Sequence, residues 1–166
     1  YLGFMAAAQP LMRKLPGRIV GETTDDQGRR AFVLTMQARE QHIRREKASS
    51  NVCSNEALCA LTASIYLSLM GRSGLRQVGE QSHAKAHYLA EELCQIPGVS
   101  LRYPGPFFHE FVTDLPQPRK VLSALEERGI LGGWVLGDGL LWCATEKQTK
   151  EQLDEAVSIV KEVLGK

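Results

Sequence analysis

A chain of 166 residues, 43% hydrophobic and 23% charged, has the make-up of one ordinary globular domain. At that length folding buries roughly 70% of the surface the unfolded chain exposes. The formal net charge of +1 argues against an obligate nucleic-acid binder, which carries a basic field over a whole face. No unbroken apolar run approaches the ~20 residues of a membrane span, and no signal peptide is read, so the expectation is a cytoplasmic protein without a membrane partner. Cys53, Cys59, Cys94 and Cys143 show no C-x-x-C spacing. They read as reduced, mostly buried thiols, neither a disulfide framework nor a zinc site.

In chain order, Tyr1–Ala8 reads as a buried strand entered midway, as in a portion excised from a longer protein. Leu15-Pro16-Gly17-Arg18 marks a turn. Two extended runs, Ile19–Thr23 and Arg30–Met36, flank Thr24-Asp25-Asp26-Gln27-Gly28 and predict a hairpin. Its poor alternation and many charges suit an arm lying against a neighbour. A helix is predicted over Asn51–Met70, capped by Ser50 or Asn51, with Leu58, Leu61, Ile65 and Leu69 at helical spacing and Gly71 at its end. A second helix, Gly74–Leu93, presents Leu75, Val78, Ala86, Leu89 and Leu93, and Ile96-Pro97-Gly98 closes it.

Strands and helices then alternate. Val99–Tyr103 and Phe107–Thr113 read as strands, and Pro118 opens a helix to Arg128 that turns Val121, Leu122 and Leu125 inward. Trp134–Leu136 and Leu140–Ala144 form a hairpin about Gly137-Asp138-Gly139. Thr149-Lys150-Glu151-Gln152 is a capping box for a last helix with Leu153, Ala156, Val157, Val160 and Leu164 inward. The fold class is α+β. Trp134, Trp142, Phe107, Phe108 and Phe111 are read as its core, and the glycine pairs as turns, since none has phosphate-loop spacing.

The densest chemistry lies in Arg39-Glu40-Gln41-His42-Ile43-Arg44-Arg45-Glu46-Lys47, four cations and a histidine in nine residues. Arg39, His42, Arg44, Arg45 and Lys47 are candidates for an anion or a partner surface, because planar guanidinium forks match carboxylate and phosphate. The alternative is a solvated face with internal pairs such as Glu40–Arg44. Ser50 and Asn51 either present a helix N-terminus to an anion or simply cap it. Cys53, beside these cations, is either a redox-sensitive thiol or a structural one. His83 and His87 lie one helical turn apart but lack an evident third ligand, so no metal is expected.

Several longer strings carry a resemblance: Tyr1-Leu2-Gly3-Phe4, Leu15-Pro16-Gly17-Arg18-Ile19-Val20-Gly21-Glu22-Thr23, Gln37–Ala48 running on to Asn51-Val52-Cys53, and Trp142-Cys143-Ala144-Thr145-Glu146. With them the chain resembles the C-terminal part of the alpha subunits of the glycine dehydrogenase (decarboxylating) family, the P-proteins of the glycine cleavage system. The resemblance implies an aspartate-aminotransferase-like, fold type I pyridoxal-phosphate enzyme. On it, residues 1–48 are the tail of the large cofactor domain with a hairpin arm, 49–71 a connecting helix, and 72–166 the small C-terminal domain. It implies decarboxylation of glycine and transfer of the aminomethyl group to the lipoyl arm of H-protein. The implied partners are the beta subunit, which carries the Schiff-base lysine, and lipoylated H-protein, in a heterotetramer. No catalytic residue is expected here, and the isolated fragment is expected to be inactive.

Two other classes stay open on the residues alone. One is a non-catalytic dimerisation or protein-interaction module, which size-exclusion chromatography with light scattering would reveal as a homodimer. The other is nucleic-acid binding through Arg39–Lys47, which requires affinity falling steeply with salt.

Overall fold

The computed structural model describes residues 2–48, 50–51 and 55–165. Two compact units divide the chain, one up to Leu69 and one from Met70 onward.

In the first unit Leu2–Ala8 is neither strand nor buried, contrary to the sequence expectation; Phe4 is 91% exposed. An apolar run makes a buried strand only where another strand pairs with it, and none does so here among the described residues. A 3-10 turn, Gln9–Lys14, follows. The predicted hairpin is present as β1 (Arg18–Thr24) and β2 (Arg30–Gln37), antiparallel, with a register shift between Ile19 and Val20. Asp25 organises its loop: Oδ1 accepts the Gln27 and Arg29 backbone N–H groups, each at 2.9 Å, and Oδ2 accepts from Arg29 Nε. Gly28, at φ 75°, takes the left-handed position that favours glycine. Both faces of the hairpin are open. Val20, Phe32, Val33 and Leu34 are all exposed.

Beyond the hairpin, α1 is a single turn, Gln41–Arg44. The long helix α2 runs from Ala57 to Cys94 and is interrupted at Gly71, whose φ 59° and ψ −175° are not helical. It starts six residues after the predicted Asn51. Asn55 Oδ1, and neither Ser50 nor Asn51, accepts the Ala57 N–H, at 3.2 Å. Leu58, Leu61, Ile65 and Leu69 do share helical spacing, but all four are exposed.

By length and composition alone α2 is long and apolar enough to cross a membrane, which corrects the count of apolar runs. Thr62, Ser64 and Ser68 interrupt the apolar residues of this helix. In the helix their hydroxyls donate to the carbonyls of Leu58, Ala60 and Ser64, four residues back, at 2.7–2.9 Å, so their polarity is largely satisfied within the backbone.

The second unit holds the core. Four antiparallel strands lie in the order β3 (Ser100–Leu101), β4 (Glu110–Asp114), β6 (Gly139–Cys143), β5 (Trp134–Leu136). Phe111 pairs with Trp142 and Thr113 with Leu140, so these four side chains share one face of the sheet. Phe111, Leu140 and Trp142 join Ala86, Leu89 and Leu93 of α2, Val121 and Leu125 of α3 (Pro118–Glu127), and Leu153, Val157 and Val160 of α4 (Lys150–Leu164) in one cluster. Trp142 Nε1 donates to Thr113 Oγ1 at 2.8 Å, which satisfies the buried indole N–H. The predicted capping box is formed: Thr149 Oγ1 accepts the Gln152 N–H and Gln152 Oε1 accepts the Thr149 N–H.

Two assignments to the core are corrected: Trp134 is 70% and Phe108 53% exposed. Trp134 sits on the edge strand β5, which only β6 flanks, and hydrophobicity does not say which face of an edge strand is covered. The cysteines are not mostly buried either. Cys59 and Cys143 are exposed and Cys94 is half-buried, all three free.

Candidate functional site

The basic stretch follows directly from β2, so the hairpin fixes where it begins. Ala38 N–H donates to Gly17 O at 2.9 Å and ties this exit to the turn that precedes β1. The next acidic side chain, Glu40, is the one buried charged residue among those described, at 5% exposure. Its Oε1 accepts from Arg18 Nη2 at 2.9 Å, and its Oε2 lies 3.6 Å from Arg39 Nε. Its backbone carbonyl accepts the N–H groups of Ile43 and Arg44, at 3.0 Å each, which starts α1. The carboxyl is held below its ordinary value, chiefly by a hydrogen bond from its own backbone N–H. Burial opposes this, and the Arg18 and Arg39 charges reinforce it.

Glu40 therefore pairs with Arg18 and Arg39, and the expected Glu40–Arg44 pair does not form. The reason is geometric: Glu40 precedes the helix in extended conformation, at ψ 159°, so the i,i+4 alignment of a helix surface does not apply. Arg39 also donates to Gln37 Oε1 at 3.3 Å.

His42, Arg44, Arg45 and Lys47 are exposed, and their side chains make no ion pair or hydrogen bond among the described residues. Arg45 takes φ 52°, uncommon for a residue with a Cβ, where α1 gives way to a 3-10 turn over Arg45–Lys47. Arg44 lines a cleft of about 300 Å³ with Arg13, Met12, Leu15, Gly17, Ile19, Met36, Gln37 and Ala38. Two guanidinium groups on one polar cleft suit a carboxylate or phosphate, or an acidic strip of a partner.

Sequence reasoning missed Glu40 as the anchor, and Arg13 and Arg18 as members of the group. The turn signal at Pro16-Gly17 bears on Arg18, because a chain reversal there returns it toward the end of β2. Ser50 is half-buried and Asn51 exposed, apart from any helix start. Cys53 lies outside the described residues, so its expected redox role is not located.

The second unit has its own polar features. His87 is sandwiched between His83 and Phe107, with ring centroids 4.1 and 4.0 Å away, and its Nε2 lies 3.1 Å from Phe107 O. These histidines thus brace α2 against the loop before β4. Arg102 binds Asp114 through Nε at 2.7 Å and donates to Leu136 O at 2.9 Å, which links the ends of β4 and β5. Two further cavities, of about 480 and 450 Å³, lie beside His87, Cys94 and Phe107 and beside Arg128, Trp142 and Gln152. No lysine lines any of the three cavities.

The comparisons with known proteins agree with this architecture. The family model described as "Glycine cleavage system P-protein" matches residues 1–160. The chain belongs to the glycine cleavage system P-protein family. The "Probable glycine dehydrogenase (decarboxylating) subunit 1" of Chlorobium limicola is 53% identical over 162 residues, covering 95% of this chain and 37% of that protein. The protein of the same name from Moorella thermoacetica is 52% identical over 173 residues, covering 99% and 39%. A solved structure, described as glycine decarboxylase (P-protein) of the glycine cleavage system in inhibitor-bound form, matches with a TM-score of 0.84 and 44% identity, over 93% of this chain and 37% of that one. The chain thus spans well under half the length of these P-protein relatives.

Proposed function

We propose that this chain is the C-terminal part of the alpha subunit of a glycine dehydrogenase (decarboxylating), and that it supplies architecture and interface to a reaction centre completed elsewhere. The observation that carries this reading is the match to glycine decarboxylase, with a TM-score of 0.84 at 44% identity. In the holoenzyme, glycine is decarboxylated and its aminomethyl group passes to the lipoyl arm of H-protein. Pyridoxal phosphate, when bound, supplies the electron sink for that chemistry. Residues 1–48 would end the large cofactor domain of a fold type I enzyme, 49–71 connect, and 72–166 form its small domain.

Among the described residues no lysine lines a cavity in which a covalent cofactor would be enclosed. Lys14, Lys47, Lys120, Lys147 and Lys150 are exposed. Lys85 Nζ donates to Glu146 O at 2.6 Å, and Lys150 Nζ is held by Asp154 and by Tyr88 Oη. No step of the reaction is assigned to this chain, and the Schiff-base lysine is read as belonging to the beta subunit.

The open faces fit an interface role. Val20, Phe32, Val33 and Leu34 of the hairpin and Leu58, Leu61, Ile65 and Leu69 of α2 are uncovered, and the side chains of Arg44, Arg45 and Lys47 have no partner among the described residues. On this reading the face meets protein and not lipid, in a cytoplasmic hetero-oligomer of alpha and beta subunits that H-protein visits. The unbalanced charge of Arg44, Arg45 and Lys47 supports an acidic protein surface opposite them.

The test is coexpression of the full-length alpha subunit containing this chain with the beta subunit, and measurement of glycine-dependent exchange of labelled carbon dioxide. Exchange that requires both subunits is the expected result. No gain over the beta subunit alone overturns the reading, and a stable homodimer that ignores the beta subunit favours a self-associating module instead.

A further inference from the structure

The sheet of the second unit brings together three donors that no part of the proposed reaction uses. Glu110 opens β4 and stands directly opposite Cys143, the last residue of β6. His109 precedes Glu110 in a bend, and its carbonyl accepts the Ala144 N–H at 3.1 Å, so the ladder extends past both residues. One ligand atom from each of His109, Glu110 and Cys143 lies within 4.8 Å of the other two.

Two further observations separate this trio from chance surface polarity. His109 Nδ1 is buried and has no hydrogen-bond partner among the described residues, an arrangement that native proteins avoid unless something else satisfies the atom. The Glu110 carboxylate and Cys143 thiol, both exposed, have neither a hydrogen bond nor an ion pair among the described residues.

We propose that His109, Glu110 and Cys143 form a site for a borderline-soft divalent cation, zinc in the first place, with three protein ligands and a fourth position left for water. An imidazole, a carboxylate and a thiolate are the donor types that zinc takes, at about 2.0–2.3 Å in tetrahedral geometry. Such bonds set neighbouring ligand atoms roughly 3.3–3.8 Å apart. The trio therefore needs to close by about an ångström, a side-chain adjustment on a backbone that the β4–β6 register already fixes. Binding exchanges the Cys143 S–H proton for the metal: the proton leaves to solvent and the sulfur lone pair goes to the ion. The bound ion would clip the end of β4 to the end of β6, at the side of the sheet away from the Gly137-Asp138 turn.

The pairing was not legible in the sequence, where His109 and Cys143 lie 34 positions apart and the cysteines show no metal spacing. The pair that does have metal spacing, His83 and His87, is committed to ring stacking.

The experiment uses the full-length subunit, stripped of metal under reducing conditions and titrated with Co²⁺, then with Zn²⁺. The expected result is one equivalent of Co²⁺ bound with a thiolate-to-cobalt charge-transfer band in the near ultraviolet, displaced by Zn²⁺, and with one proton released per ion. Cys143→Ser should abolish that band, while Cys59→Ser should leave it intact. His109→Ala should weaken binding at least about tenfold, the lower end of what even supporting residues of metal sites cost. Thermal unfolding followed by circular dichroism confirms that each variant is folded. Absence of stoichiometric binding, or a charge-transfer band that survives in folded Cys143→Ser, overturns the proposal. Because the readout is metal binding, its failure leaves the assignment to glycine decarboxylation untouched, and the reverse also holds.

Discussion

The two units of this chain divide its apolar side chains in opposite ways. Every buried hydrophobic residue among those described lies between Ala86 and Val160, whereas up to Leu69 a single described residue is buried, and it is the charged Glu40. The first unit nevertheless exposes many large apolar side chains, from Phe4 and Phe32 to Leu58 and Leu69. The second unit thus buries its own apolar surface, while the first has the composition of a buried region and the exposure of an interface. Exposed apolar surface on this scale marks regions made for contact.

The largest expected effect comes from separating the two. Residues 70–166 expressed alone should unfold cooperatively on heating, and residues 1–69 alone should show no cooperative transition. A sharp melt of the first piece in isolation would break the comparison. At the level of single residues, Leu125→Ala removes a side chain with no exposed surface and should cost about 2–5 kcal/mol in denaturant unfolding of the full chain. Leu61→Ala, on an exposed face, should stay within about 0.5 kcal/mol in the free chain, yet weaken capture by the beta subunit in a pull-down. An equal loss of stability at both positions would deny the difference between the units.

Smaller effects sharpen the boundary. Gly71 takes φ 59° and ψ −175°, a conformation essentially confined to glycine, so Gly71→Ala should cost about 1–3 kcal/mol, although nothing lies within 4 Å of the added methyl. Thr149→Ala deletes half of the capping box and should lower stability by about 1 kcal/mol, read as a modest drop in melting temperature.

The pH dependence of Glu40 is the most local test. Its carboxyl sits below the ordinary 4.5, so the folded unit gives up its affinity for a proton that the unfolded chain keeps. The stabilisation is therefore complete above the ordinary value and is lost as pH falls through the lowered one. Hydrogen exchange at the Ile43 and Arg44 amides should accelerate in that acid window relative to neutral-pH protection, after correction for intrinsic rates. In Glu40→Gln the added acid sensitivity should disappear.

What the sequence determined by itself is the local structure. Spacing and turn chemistry placed the hairpin about Asp25 and Gly28, the interruption at Gly71, Pro118 at a helix start and the box at Thr149, because each depends on backbone groups a few residues apart. The quoted strings also carried the family, which the comparisons then showed. Tertiary structure alone decided which apolar residues are covered. Leu58 and Leu89 are equally good helix residues, and only the sheet packed against the second makes it core. It alone decided that Glu40 meets Arg18, 22 positions away, and that Cys143 comes to lie beside His109 and Glu110. Partnership between distant side chains is set by strand register, and register is a property of the assembled sheet, not of any one segment.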